Sequence, residues 1–210
     1  MQVHSRKEPK KLFAIFRLVL GSLFLVIFII LIKKSQTTHK RRWLITSVVV
    51  TIILTTVFSF IPIENAFVTF SSPQSAYSYN HPGNVKLIVN GEETDFIVGF
   101  KDDTEVYAIV PKSDDGWKLG TGLDTKRIAQ TTVDGILVCV YQYKNLDDYY
   151  ITVFDTNGGS SEITDNHSTR FQFLDEANRV LNKTFYTYYA YIHDYDDQYV
   201  LSVNGKMIKI

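Results

Sequence analysis

The sequence predicts an N-terminal transmembrane helical hairpin followed by a mainly-β domain, an antiparallel sandwich or curled sheet with one or two short helices. Three observations carry this prediction. Two apolar runs near the front, residues 12–32 and 43–62, each have about the ~20 residues that an α-helix needs to cross a bilayer core. Charge divides at Pro62: up to there the chain has ten Lys and Arg against one acid, Glu8, a net of +9, and beyond it twelve against twenty-one, a net of −9. All thirteen tyrosines also follow Pro62, and from Asn84 onward β-branched and aromatic runs alternate with tight-turn dipeptides.

Taken in order, the chain opens with a basic tail containing Arg6, Lys7, Lys10 and Lys11. In the first apolar run Arg17 lies near the start, where its long side chain would snorkel toward headgroups. The run is long for a signal peptide, no small-x-small cleavage site follows it, and a second span comes next, so it reads as a spanning helix. The connector 33–42 (KKSQTTHKRR) holds five Lys and Arg and is too short to be a domain. By the positive-inside rule it belongs in the cytoplasm. The basic N-terminal tail pulls toward the same side, in conflict with a hairpin. The second run is the clearer signal, since cations precede it and none follows until Lys86, which sends the C-terminal domain outside. The expectation is therefore a two-span cell-membrane protein with an extracytoplasmic β-domain and the lipid bilayer as a partner.

Residues 63–83 read as a linker with a short helix. Ser72 is an N-cap with Pro73 at the first helical position, where a missing N–H costs nothing, and the helix ends before His81-Pro82-Gly83, resting the domain near the bilayer surface. Residues 84–210 form the β-domain. Strands 85–89 and 94–100 flank Asn90-Gly91, a hairpin dipeptide; strand 104–110 ends at Pro111. Ser113-Asp114-Asp115-Gly116 turns into an extended 117–119, and strands 127–133 and 136–143 flank Asp134-Gly135. Strand 149–154 runs to Asn157-Gly158-Gly159, and 170–173 follows a polar loop. Residues 175–182 break the pattern, because Leu174, Ala177 and Leu181 share a helical face behind Asp175 as a cap. Strands 184–193, 199–203 and 206–210, the last pair joined by Asn204-Gly205, close the chain as a meander.

The run Phe70-Ser71-Ser72-Pro73-Gln74-Ser75-Ala76-Tyr77, with Val110-Pro111-Lys112, Gly116-Trp117-Lys118-Leu119 and the ending Tyr199-Val200-Leu201-Ser202-Val203-Asn204-Gly205-Lys206, resembles small membrane-anchored proteins of Gram-positive bacteria. The resemblance covers residues 70–210 and implies a Ser-Pro-x-x-Ala helix ahead of a β-rich extracytoplasmic domain. It implies no catalytic residue.

Candidate chemistry is sparse. Cys139, the only cysteine, sits among Leu137, Val138 and Val140; alone it makes no internal disulfide and reads as a small buried hydrophobe. Asp165-Asn166-His167-Ser168 contains hydrolase residue types, but adjacent residues do not form a triad, and no Gly-x-Ser-x-Gly elbow is present. Asp102-Asp103, Asp114-Asp115, Asp147-Asp148, Asp155 and Asp194-Tyr195-Asp196-Asp197 fall at turns. Carboxylates so placed suit calcium, yet the Asp155 loop fails the EF-hand spacing, and Asp is an ordinary turn former. His193 beside Asp194 and Asp196 is a weaker metal candidate than a solvated turn. The tyrosines of 185–191 alternate, Tyr186 and Tyr188 on one face, Phe185, Tyr189 and Tyr191 on the other, either as a glycan- or protein-binding face or as half-buried strand residues. No phosphate-cradling Gly-rich loop occurs, and Asn166-His167-Ser168 and Asn182-Lys183-Thr184 are glycosylation sequons.

No catalytic, cofactor-binding or metal residue is assigned, no cofactor is expected, and an acidic domain makes nucleic acid an unsuitable partner. The leading functional expectation is a non-enzymatic extracytoplasmic binding domain whose partner is an envelope protein or cell-wall ligand. A transmembrane regulator or sensor subunit acting through the helix pair is second, and an envelope hydrolase a distant third.

Overall fold

The structure is a computed structural model that describes the backbone of residues 10–34, 39–60, 62–81, 83–101, 104–121, 123–157, 161–180 and 183–210, with side chains for all of these except 10–18, 20, 58–60, 175–180 and 183–185. The chain divides into two compact units, Met1–Phe67 and Val68–Ile210.

The first unit consists of α1 (Lys10–Lys34), α2 (Lys40–Phe60) and a single 3-10 turn over Ile63–Ala66. Small and hydroxyl residues make the seam of the helix pair: Gly21 faces Thr55, and Ser47 and Thr51 are buried. Each of those two hydroxyls donates to the carbonyl one turn back, Ser47 to Trp43 and Thr51 to Ser47, both at 2.8 Å, so neither is left unsatisfied. Valine, isoleucine and leucine side chains on both helices point outward.

The expected transmembrane hairpin is corrected here. Among the described residues no helix is long and apolar enough to cross a membrane. Helix α2 opens on Lys40, Arg41 and Arg42, which a spanning segment does not bury. The two-span, membrane-localised architecture is therefore not supported, whereas the β-rich part of the prediction is.

The second unit is a stack of four layers. Helix α3 (Pro73–Asn80) is capped as its sequence demands: Ser72 Oγ accepts from the Ser75 amide at 3.1 Å, and Ser75 Oγ accepts from the Ser72 amide at 3.2 Å. Its buried residues, Ala76 and Tyr77, pack on Ile97, Val110 and Leu119, so the helix rests on a sheet. That sheet is antiparallel, β1 (Asn84–Asn90), β2 (Thr94–Lys101), β3 (Thr104–Ser113) and β4 (Gly116–Trp117) in that order. The central sheet has the order β5-β6-β7-β10-β9, with β5 Thr125–Val133, β6 Ile136–Tyr143, β7 Tyr149–Asp155, β9 Gln172–Val180 and β10 Lys183–Ile192. A small third sheet sets β11 (Val200–Val203) between β12 (Lys206–Lys209) and β8 (Ile163–Asp165).

The central sheet is covered on both faces. One face (Cys139, Tyr141, Tyr150, Tyr189) meets Val89, Phe96, Val98 and Ile109 of the first sheet; the other (Val138, Ile151, Val153, Ala190) meets Leu201, Val203 and Ile208 of the third. Double coverage explains why β6 reads as an unbroken apolar run and why Cys139 is a buried free thiol. It also accounts for the middle of the tyrosine strand: Tyr188 lies in one core and Tyr189 in the other.

Three local expectations are corrected. Residues 172–180 are strand, not helix, because pairing with β10 from Lys183↔Val180 to Tyr189↔Gln172 overrides the local helical pattern. Strand β8 forms in what reads as a polar loop, since Thr164 and Ile163 pair with Ser202 and Val203. Strand β3 continues through Pro111. Lys112 N–H donates to Glu93 C=O at 2.8 Å toward β2, while Pro111 C=O accepts from Lys118 N–H at 2.9 Å on the opposite side. Residue 111 thus faces the edge, where a missing N–H breaks no ladder bond.

Candidate functional site

The acidic turns were the strongest sequence candidates, and Asp148 shows what they do. It is buried, and its Oδ2 accepts from Glu93 N–H at 2.8 Å, Thr94 N–H at 2.6 Å and Thr94 Oγ1 at 2.8 Å; Oδ1 accepts from Glu92 N–H at 3.1 Å and Tyr191 OH at 2.9 Å. Burial alone would raise its pKa, but the bonds from Thr94, Tyr191 and the Glu92 and Glu93 amides prevail and hold it below the usual carboxylate range. The carboxylate ties the β1–β2 turn to the central sheet. Gly91 is needed there because a Cβ would stand 2.3 Å from Tyr150 OH and 2.8 Å from Asp148 Oδ2.

Three other acids are similarly occupied. Asp155 accepts from Asn157 N–H at 2.8 Å and from Ser161 Oγ. Asp165 accepts from the His167 and Thr169 amides and from Tyr199 OH at 2.5 Å, so the Asp165–Ser168 run is a backbone-binding turn in which the His167 ring lies tilted against Tyr199. Asp95 is buried against Trp117 Nε1 at 2.6 Å and Lys112 Nζ at 3.3 Å. His193 is exposed, 3.6 Å from Glu92 and 3.9 Å from Asp194. Among the described residues no three His, Cys, Asp or Glu side chains gather to hold a metal. Asp102-Asp103, Gly158-Gly159 and Asn182 lie outside the described residues.

The arrangement that sequence reasoning missed is a cleft of about 300 Å3 where the first and central sheets part at their edges. Tyr107, Ala108 and Ile109 of β3 form one wall; Thr125 and Arg127 of β5 and Tyr141 of β6 form the other; His81, Gly120 and Thr121 close the ends. Register builds it. Arg127 pairs with Tyr141 and Thr125 with Tyr143, so the cation and the hydroxyl rise from the same face as the buried tyrosines. Gly120 crosses β3 where a Cβ would stand 1.8 Å from Ile109 C=O, an approach only glycine permits.

Within the cleft the Tyr107 and Tyr141 hydroxyls lie 2.8 Å apart, and the Tyr107 ring stacks on Phe96 at 5.5 Å. Burial, followed by the bond to Tyr107, pushes the Tyr141 phenol well above its ordinary range, so its hydroxyl stays protonated at neutral pH. His81 stacks on Tyr77 at 4.8 Å with its Nδ1 buried and unpaired among the described residues. Burial lowers its pKa against the opposing Tyr77 carbonyl, which keeps the ring neutral at pH 7. Arg127 is exposed and has no hydrogen-bond or ion-pair partner among the described residues. The cleft therefore offers a cation, two phenols, two threonine hydroxyls and a neutral imidazole on an aromatic floor, and its lining includes no carboxylate or thiol. None of these residues stood out as a candidate in the sequence; strand register brings most of them together.

No family model matches the chain, and neither curated proteins nor solved structures provide a match.

Proposed function

We propose that the β unit is a non-enzymatic binding domain whose ligand occupies the cleft between β3 and the β5–β6 edge. The observation that supports this most directly is Arg127. It stands unpaired at the rim of a concave, aromatic-floored site, although acids outnumber cations in this half of the chain. Ligand sites combine an apolar surface with a few convergent polar groups, and the cleft has that composition at the small end of the usual size range. A binding role fits better than hydrolysis. The lining pairs no nucleophile with a base, and the carboxylates that would orient one are committed to backbone amides elsewhere.

The test is a nitrogen-15 NMR screen of the intact protein against a set of small carboxylates and acidic dipeptides. Binders are expected to shift Thr121, Thr125, Arg127 and Tyr141, and Arg127→Ala should abolish those shifts without changing thermal stability. Binders that collect elsewhere, or persist unchanged in Arg127→Ala, would overturn the assignment.

A further inference from the structure

Sheet edges attract foreign strands, and most edges in this unit are protected. Strand β1 has a bulge between Val85 and Leu87 with Lys86 in it, and β5 has one between Arg127 and Ala129 beside Lys126. Strand β8 has three residues, and β12 has four with a lysine at each end. Strand β3 differs. Residues 104–111 of this ten-residue strand pair with β2 without interruption, from Thr94↔Pro111 to Lys101↔Thr104. On its other side β4 covers only Lys112 and Ser113, and Gly120 crosses at Ile109.

The alternation that turns Pro111 outward also turns Ile109 and Tyr107 outward. The Tyr107 N–H and C=O therefore point into the cleft, and neither has a backbone partner among the described residues. A carbonyl, an amide, an aromatic ring and, across the gap, the unpaired Arg127 guanidinium converge on one small volume. Resting on the cleft as the ligand site, we propose that its ligand is a short extended segment of a partner protein that adds as a strand to β3. The segment exchanges both backbone hydrogen bonds with Tyr107 and places an Asp or Glu side chain on Arg127. Strand addition supplies affinity through the main chain, and the side-chain pocket supplies selection. Charge complementarity identifies the side chain, because Arg127 is the one full charge in the described lining.

The experiment uses the full chain and a phage-displayed library of random linear peptides, followed by amide hydrogen exchange on the complex. Selected peptides are expected to share an acidic residue. Their binding should weaken roughly tenfold to a hundredfold in Arg127→Ala, the worth of a charge-assisted hydrogen bond. Arg127→Glu should turn the selection toward basic peptides. Exchange at the Tyr107 amide should slow on binding, whereas the Val106 and Ala108 amides, which face β2, stay as they were. Peptides that bind in the cleft without protecting Tyr107 would overturn strand addition and leave the cleft as a side-chain site. If no peptide binds while small carboxylates still shift Arg127, the occupant is wrong and the site stands. If neither perturbs the cleft, both readings fall.

Discussion

The two units arrange polar and apolar residues in opposite ways. In the helix pair the hydroxyls of Ser47 and Thr51 are buried at the seam while Ile52 is 61% exposed and Val19 58%. In the β unit Ile97, Val138, Ile151 and Val153 are fully buried, and polar groups reach the interior only with a matched partner, as Asp148 does. Burial of apolar surface away from water organises the second unit. Close approach of small residues organises the first, and its apolar outer face is of the kind that marks an interaction surface. Hydrophobic content alone does not tell these apart; what distinguishes them is which residues face the partner element.

The comparison breaks most directly at Asp148. Asp148→Ala would strand three backbone amides and two hydroxyls in the interior, and a loss of about 4 kcal/mol is expected, since removing one side of a buried charged network costs that much. Ser47→Ala in the helix seam removes a hydroxyl bonded only within its own turn, so it should cost under ~0.5 kcal/mol. Urea unfolding of the two variants checks both. Equal losses would mean that the β1–β2 turn is not held by this carboxylate.

A second contrast uses apolar residues alone. Ile151→Ala removes a side chain from the core between the central and third sheets and should cost about 3 kcal/mol. Ile52→Ala, on the outer face of α2, should stay within ~0.5 kcal/mol in the isolated chain. A large loss at Ile52 would show that the outer face is covered.

Acid provides a third test. Asp148 and Asp165 both have folded pKa values held below their unfolded ones, Asp148 by Thr94, Tyr191 and two amides, Asp165 by Thr169, Tyr199 and two amides, in each case against the opposing effect of burial. Their stabilisation is fully present above the unfolded carboxylate pKa of about 4 and is lost as pH falls through the lower folded values. His81, held neutral by burial, adds a loss that begins higher, as pH falls below about 6.5. Thermal melting of the β unit should therefore weaken in two stages on acidification. His81→Gln should remove the upper stage and Asp148→Asn blunt the lower. A single stage that both variants leave unchanged would contradict these assignments.

The strands were largely legible because their signals are local. Asp134-Gly135 and Asn204-Gly205 adopt positive φ at both residues, as a two-residue hairpin turn requires, and Ser72-Pro73 caps a helix where sequence placed it. The helix over 175–182 and the end of a strand at Pro111 were misread for one reason: each depends on what lies alongside. Pairing with β10 decides the first turn after Leu174, and ladder parity decides whether a proline interrupts a strand. The cleft was illegible on the same account. Tyr107, Arg127 and Tyr141 are ordinary strand residues until register sets them on one face, and the acid clusters drew attention because turn chemistry and ligand chemistry use the same side chains.

One of the small predicted effects carries the most for the site. Pro111→Ala restores an N–H that points away from β2, so the β2–β3 ladder neither gains nor loses a bond. The change should act mainly through the unfolded chain, destabilising by roughly 0.5 kcal/mol as backbone freedom returns. Val110→Pro, one residue earlier, removes an N–H that faces Asp95 on β2 and should cost ~3 kcal/mol or more. The pair of substitutions reads the parity of β3 by denaturant unfolding without any ligand. If Pro111→Ala proved as costly as Val110→Pro, the alternation would be shifted by one residue. The Tyr107 backbone would then face β2, and β3 would offer no main-chain group at Tyr107 for a partner strand to take.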